Sequence, residues 1–156
     1  MACPLDAEEI DYVKRIWKIC ASNIHQLGEV VFFKFFEKYP SYIIFFPKFK
    51  DYNLQQLKNS PAFRNHGYLI MCQIGDSITQ LGTPDGWENI KKAWHAHGDM
   101  HVVLKVKRIQ FMQFRDVVVD QILGISSMSH VDEVKKAYIK FFNAIFAFSF
   151  EKSGAT

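Results

Sequence analysis

The sequence lacks the features that mark membrane, disulfide-linked and nucleic-acid-binding proteins. None of its apolar runs approaches the roughly 18 residues of a membrane-spanning helix, and the N-terminus MACPLDAEEI has no signal-peptide pattern. Cys3, Cys20 and Cys72 are an odd set without CxxC spacing, which argues against disulfides and a thiolate zinc site. The net charge is only +3, with basic residues spread along the chain rather than concentrated on one face. We therefore expect a cytoplasmic protein that binds neither membranes nor nucleic acid.

Aromatic side chains, by contrast, are abundant. They make up 15% of the chain, largely through 15 phenylalanines. A length of 156 residues suits a single domain, 1–156, with a substantial core. Composition alone leaves two interpretations open, a phenylalanine-packed core and a large apolar ligand held inside it.

Apolar residues recur at helical spacing in the first third of the chain. Asp6 with Glu9 three positions later predicts a capped first helix. A second, almost wholly apolar helix is predicted from near Gly28 to Pro40. A short helical turn broken by Pro47 and a polar loop up to residue 59 are expected to follow.

The rest of the chain also has helical periodicity. Ser60 followed by Pro61 predicts a helix start, and Gly82 predicts its end. Further helices are predicted in DGWENIKKAWHAHGDMH, over 107 to about 123, and from Ser129 or His130 onward. The predicted fold class is all-α.

Three of the six histidines lie within seven positions, as His95, His97 and His101. His66 precedes the Gly82 break by about 16 residues, or roughly 24 Å of helix, and a helix returning to His101 covers roughly 21 Å. An antiparallel pair would bring His101 nearly level with His66. His97 falls about one turn short, and His95 points to another side.

Two facing histidines among apolar side chains are a poor site for a bare divalent ion. Zinc would need further nitrogen, oxygen or sulfur ligands with hydrogen-bonded support. An iron-containing planar cofactor, with one axial imidazole and a sheltered opposite face, suits them better.

Several motifs resemble those of one family over essentially the whole chain. They are YPSYIIFFPKFK at 39–50, FRNHGYLIM at 63–71, and the run from His101 through Val106 to Phe111 and Phe114. The chain resembles the globins, with a pattern close to intracellular invertebrate globins. The resemblance implies a globin fold of about seven to eight helices around haem b.

The resemblance also implies the site residues. His101 would be the proximal iron ligand, and His66 the distal residue, on the O2 side or as sixth ligand. The cofactor-binding set that it implies is Phe32, Phe46, Phe49, His66, Ile70, His97, His101, Val106, Phe111, Phe114 and Phe141.

His97 departs from the family pattern, which usually has leucine one turn before the proximal histidine. Packing against the porphyrin, bonding a propionate and shifting the electronics of the haem all stay open as its role. A slipped register would make His97 the ligand, but Phe111 and Phe114 would then be misplaced relative to it.

The function implied is non-catalytic, reversible O2 binding for storage, transport or facilitated diffusion, with CO and NO as further ligands. One alternative is a haem redox enzyme acting on nitric oxide, nitrite or peroxide with a reductase partner. Another is a bis-histidine gas or redox sensor. Homo-oligomer formation stays open.

Overall fold

The computed structural model describes residues 2–101, 104–125 and 129–153, and across these ranges it contains α-helices, short 3-10 turns and no strand. The prediction of an all-α fold is confirmed. Helices α1 to α7 span, in order, Ala7–Cys20, Ile24–Lys38, Leu54–Lys58, Pro61–Gln80, Gly86–His101, Arg108–Ile125 and Val131–Ser153. The 3-10 turns are Ala21–Asn23 and Pro40–Phe45.

Side-chain caps begin α1 and α4 where the sequence predicts them. The Asp6 carboxylate accepts from the Glu9 backbone N–H at 2.8 Å, and the Glu9 carboxylate accepts from the Asp6 N–H at 3.1 Å. The Ser60 hydroxyl accepts from the Phe63 N–H at 3.2 Å, with Pro61 as the first helical residue. Each cap bonds backbone N–H groups that have no partner within the helix.

The start of α2 differs from the predicted one. The helix begins at Ile24 rather than near Gly28, because the Asn23 side chain accepts from the Gln26 N–H at 3.4 Å and caps an earlier first turn. The polar residues of this turn lie on the exposed side of the helix. A prediction from the spacing of apolar residues therefore does not detect them.

The predicted polar loop up to residue 59 is a second correction, since it contains α3. Asn53 and Gln56 form a reciprocal capping box, with both hydrogen bonds at 2.8 Å. An Asn followed three positions later by Gln is a helix-start signal that was present in the sequence. A five-residue helix is too short for apolar periodicity to show it.

Helices α4 and α5 run antiparallel and are linked by side-chain hydrogen bonds. The Trp94 indole donates to the Ser77 hydroxyl at 2.8 Å, and the Asn89 amide donates to the Gln80 side chain at 3.4 Å. The partner of Gln80 is Asn89, and the partner of Ser77 is Trp94. Residue numbers therefore decrease along α4 as they increase along α5. The antiparallel arrangement is the one under which the sequence predicts that His101 lies nearly level with His66.

Two close backbone approaches hold the helices around the core. At the α2/α4 crossing, a Cβ added to Gly28 would lie 2.5 Å from the carbonyl of Gly67. At the α5/α7 crossing, a Cβ on Gly98 would lie 2.9 Å from the Cα of Ser149. Glycine is required at both crossings because any larger residue would meet backbone atoms. Over the described ranges, no helix is long and apolar enough to span a membrane.

Replacing Gly28 by alanine is expected to lower the free energy of unfolding by about 1–3 kcal/mol, because the added methyl must displace the α4 backbone. Urea denaturation measures the change. The control is Gly124→Ala near the end of α6, where an added Cβ meets nothing within 4 Å. That variant is expected to gain up to about 1 kcal/mol in helix propensity. Equal effects in the two variants would contradict the close crossing.

Candidate functional site

An apolar cavity lies between α2, the 3-10 turn after it, and helices α4 to α7. It holds about 650 Å³ of space, a volume that includes its open mouth. Its lining is Phe32, Phe35, Tyr42, Phe45, Phe46, His66, Ile70, Ile74, Trp94, His97, His101, Val106, Gln110, Phe111, Phe114 and Phe146. Of the three closely spaced histidines, His97 and His101 therefore line one cavity with His66.

The structure brings nine of the eleven predicted cofactor-binding residues to this cavity, and it leaves two outside. Phe49 is buried behind the lining, where its ring packs edge-on against Phe63 and His66 at 5.8 and 6.1 Å. Phe141 is fully buried against Phe142 within the α7 core.

Rotation along α7 explains the position of Phe141. Phe146 lines the cavity instead, and residues five positions apart point about 140° away from each other around a helix. The Phe146 ring packs on the lining residue Phe111 at a centroid distance of 5.3 Å, a contact between helices that spacing within α7 does not predict.

Seven lining residues were not predicted from the sequence. Some continue predicted faces, as Phe35 does three positions after Phe32 and Ile74 does four after Ile70. Tyr42 and Phe45 belong to the 3-10 turn, whose orientation has no periodic signal in the sequence.

The His66 ring lies in a cage of phenylalanines. The edges and faces of Phe32, Phe46 and Phe49 meet it at centroid distances of 5.1, 5.2 and 6.1 Å. Burial, with smaller contributions from the charges of His101 and Lys48, lowers the pKa of His66 to about 4. The imidazole is therefore neutral at pH 7, with one N–H and one lone pair.

His101 is the last residue of α5, and its ring is hydrogen-bonded to the backbone of its own helix. Its Nδ1 lies 2.7 Å from the backbone oxygen of His97, which can only accept, so Nδ1 carries the proton and donates. Nε2 is then left with the lone pair. Burial lowers the pKa of His101, although its bond to the His97 oxygen opposes that effect.

His97 is buried, and His95 lies outside the cavity. The His97 ring stacks on the His101 ring at a centroid distance of 3.9 Å, and its Nδ1 lies 3.0 Å from the Ser149 hydroxyl on α7. Burial first, and then the charges of His101 and His66, lowers the pKa of His97 to about 3. His95 bonds Glu151 at 2.7 Å at the protein surface.

This donor set fits an axial ligand of haem rather than a bare metal ion. His101 offers a neutral, oriented imidazole nitrogen in a cavity lined mostly by aromatic rings. Across the part of the chain that the structure describes, no group of three or more His, Cys, Asp or Glu residues is placed to hold a metal ion. The cavity therefore suits a large planar apolar group bound through one imidazole.

Comparison with known families agrees with this geometry. The globin family profile matches residues 29–149. The chain belongs to the globin family. Among its relatives, globin CTT-X of Chironomus thummi thummi is 28% identical over 120 residues, which are 77% of this chain and 77% of that one.

Solved globins share the fold of this globin. The hemoglobin of the botfly Gasterophilus intestinalis superposes with a TM-score of 0.86 at 23% identity, covering 96% of this chain and 99% of that one. The hexa-coordinate hemoglobin of Drosophila melanogaster gives 0.88 at 22% identity, with coverage of 97% and 99%. The cofactor of this globin is haem b, and haem-based O2 binding is the general function of its family.

We predict that the globin without haem loses stability in acid because its buried histidines are neutral. The folded pKa of His66 is about 4 and that of His97 about 3, whereas unfolded histidine titrates near 6.5. Below about pH 6.5 the unfolded chain binds more protons, so stability is full above that pH and falls as the pH drops towards 4. Between pH 7 and 5, each such group costs up to about 2 kcal/mol.

Urea denaturation at pH 7 and pH 5 measures this loss. His66→Leu is expected to lose less stability between the two pH values than the unmodified protein. The matched control is His25→Gln at an exposed position of α2, which is expected to keep the full loss. An equal loss in both variants would show that burial of His66 does not contribute.

Proposed function

We propose that this globin stores or transports O2 by reversible binding at ferrous haem, with His101 as proximal ligand and His66 as distal hydrogen-bond donor. The observation that carries the proposal is the pair of neutral imidazoles that reach one apolar cavity from α4 and α5. Bound haem supplies the iron at which O2 binds. The residues of the chain decide how the iron is held and how the O2 side is shielded.

His101 is suited to the proximal role by the proton on its Nδ1. Donation from Nδ1 to the His97 oxygen at 2.7 Å fixes the tautomer and leaves Nε2 as the basic atom. A hydrogen bond donated by the second ring nitrogen also raises the basicity of a ligating imidazole. From the end of α5 it lines the same cavity as His66 on α4, which supports the pairing that the helix lengths predict.

His66 is suited to the distal role because it is neutral and surrounded by aromatic rings. A neutral imidazole has one N–H, which can donate to a ligand that acquires partial negative charge. O2 bound at haem would acquire more charge than CO, so His66 as donor would favour O2. Such a hydrogen bond to a charged acceptor is worth about 1.5–3 kcal/mol.

The aromatic lining supports this role by excluding water. Phe32 is 4% exposed, and its ring packs against Phe46 and Phe114 at 6.1 and 4.9 Å. Water and protons promote oxidation of ferrous iron, so a lining of packed rings favours the reversible reaction. Phe46 and Phe114 are therefore proposed as walls of the pocket rather than as chemical groups.

A second candidate is a bis-histidine globin in which His66 itself binds iron when no gas is present. A neutral His66 has a lone pair as well as an N–H, and it faces the same cavity as His101. The Drosophila melanogaster hemoglobin that shares this fold is hexa-coordinate. This candidate suits gas or redox sensing better than simple storage.

His66→Leu is expected to speed O2 dissociation about 10- to 150-fold, because the variant loses the distal hydrogen bond. Stopped-flow replacement of O2 by CO measures the rate. The CO dissociation rate of the same variant serves as control and is expected to change much less. An unchanged O2 rate would remove the proposed hydrogen bond.

The visible spectrum of the ferrous protein without gas separates the two candidates. One broad band in the middle of the visible range is expected for storage or transport, since the sixth iron position is then open. Two sharp bands would show that His66 binds the iron and would favour the sensor. His66→Leu should convert the second spectrum into the first.

A further inference from the structure

His97 contacts both the proposed iron ligand and the last helix. Its ring is 5% exposed, lines the cavity and stacks on the His101 ring at 3.9 Å with an interplanar angle of 29°. The same ring also contacts the rings of Trp94, at 4.9 Å, and Phe111, at 6.2 Å. The ring of His97 is therefore held by packing on several sides.

The direction of each hydrogen bond around His97 follows from which of its atoms and partners can donate a proton. The Ser149 hydroxyl donates its proton to the Trp94 backbone oxygen at 3.1 Å, because a carbonyl can only accept. The Ser149 oxygen must then accept from Nδ1–H of His97 at 3.0 Å. His97 in turn accepts, through its backbone oxygen, from Nδ1–H of His101. His101 thus donates to His97, His97 donates to Ser149, and Ser149 donates to Trp94.

This chain of bonds ties the end of α5 to α7. Ser149 is fully buried, and its backbone lies against Gly98, the residue after His97. The Trp94 indole donates to the Ser77 hydroxyl at 2.8 Å, which extends the network to α4. His97 therefore has little freedom to turn without breaking buried hydrogen bonds.

The His101 ring is less constrained by its own contacts. The terminal side-chain torsion of a histidine can adopt a broad range of values, and one hydrogen bond from Nδ1 leaves the ring free to tilt. The stacked face of His97 on one side and the ring of Phe111, 6.2 Å away, restrict that tilt. Leucine, the usual residue of the family at position 97, has neither a flat face nor a hydrogen bond to Ser149.

We infer that His97 is a positioning residue that sets the ring plane of His101, and that Ser149 holds His97 in the stacking orientation. The inference rests on the proposed function, in which His101 binds the haem iron. The plane of the axial imidazole determines how its orbitals overlap with those of the metal. His97 therefore affects the magnetic anisotropy of the iron and the strength with which the haem is held, without binding the iron itself.

The test uses the full chain with haem b, in the ferric cyanide complex, so that all variants share one spin state. In His97→Leu, the electron paramagnetic resonance signal is expected to shift and broaden, because the His101 ring adopts several orientations. Haem loss to an acceptor globin is expected to accelerate about 2- to 10-fold, the equivalent of one lost aromatic pair. His97→Phe keeps a flat ring and should lie between His97→Leu and the unmodified protein in both measurements.

A mutant cycle separates positioning from general packing. Ser149→Ala should shift the resonance in the same direction as His97→Leu, and combining the two should add nothing, because both act through one ring. The matched control is His95→Leu on the same helix. It removes the bond to Glu151 on α7 and should lower stability while leaving the resonance unchanged.

Each remaining outcome contradicts a different statement. If His97→Leu and His97→Phe leave the resonance and the haem-loss rate unchanged while His101→Gly abolishes histidine ligation, the positioning role is wrong and the proposed function stands. If His97→Leu itself abolishes histidine ligation, His97 is the iron ligand and the assignment of His101 fails. Circular dichroism checks the fold, and if His97→Leu does not fold, Ser149→Ala and His97→Phe decide.

Discussion

Two close helix crossings determine where the site histidines point. Gly67, at the α2/α4 crossing, follows His66 directly, and Gly98, at the α5/α7 crossing, follows His97. Because backbone meets backbone at both places, neither α4 nor α5 can rotate about its axis without steric overlap. The two crossings therefore fix the rotation of α4 and α5. That rotation directs the rings of His66 and of His101, which lies one turn beyond His97, into the cavity. The cavity depends on these two crossings.

Burial of the imidazoles has opposite consequences for ligand binding and for stability. A buried histidine surrounded by aromatic rings has a lowered pKa, so it keeps the neutral form that an iron ligand or a hydrogen-bond donor to O2 requires. The same lowering makes the protein without haem sensitive to acid. The aromatic lining therefore keeps these imidazoles uncharged at neutral pH and opposes their protonation below it.

The polar groups near His101 form an ordered set rather than scattered contacts. Ser149 uses its one proton on the Trp94 oxygen, and this fixes the proton on Nδ1 of His97. Each buried donor thus has one acceptor, which keeps the cost of burying these polar groups low. This globin consequently has a polar network where the leucine usual in the family has only an aliphatic contact.

Local signals in the sequence predicted most helix starts, because a cap depends on residues within three positions of each other. Asp6 and Ser60 are examples, and the missed helix α3 also had such a cap, at Asn53. Helix lengths predicted that His101 and His66 lie close together, since rise per residue is the same in any α-helix, and both line one cavity. The family was likewise readable from motifs spread along the chain.

The sequence alone therefore determined the all-α fold and the family, and it singled out His66 and His101, which line one cavity. Only the tertiary structure decided that Phe146 rather than Phe141 faces the cavity, and that His97 stacks on His101 while bonding Ser149. These facts depend on how each helix is rotated about its axis. That rotation is set by contacts between residues about 50 positions apart in the chain, and local spacing has no information about them.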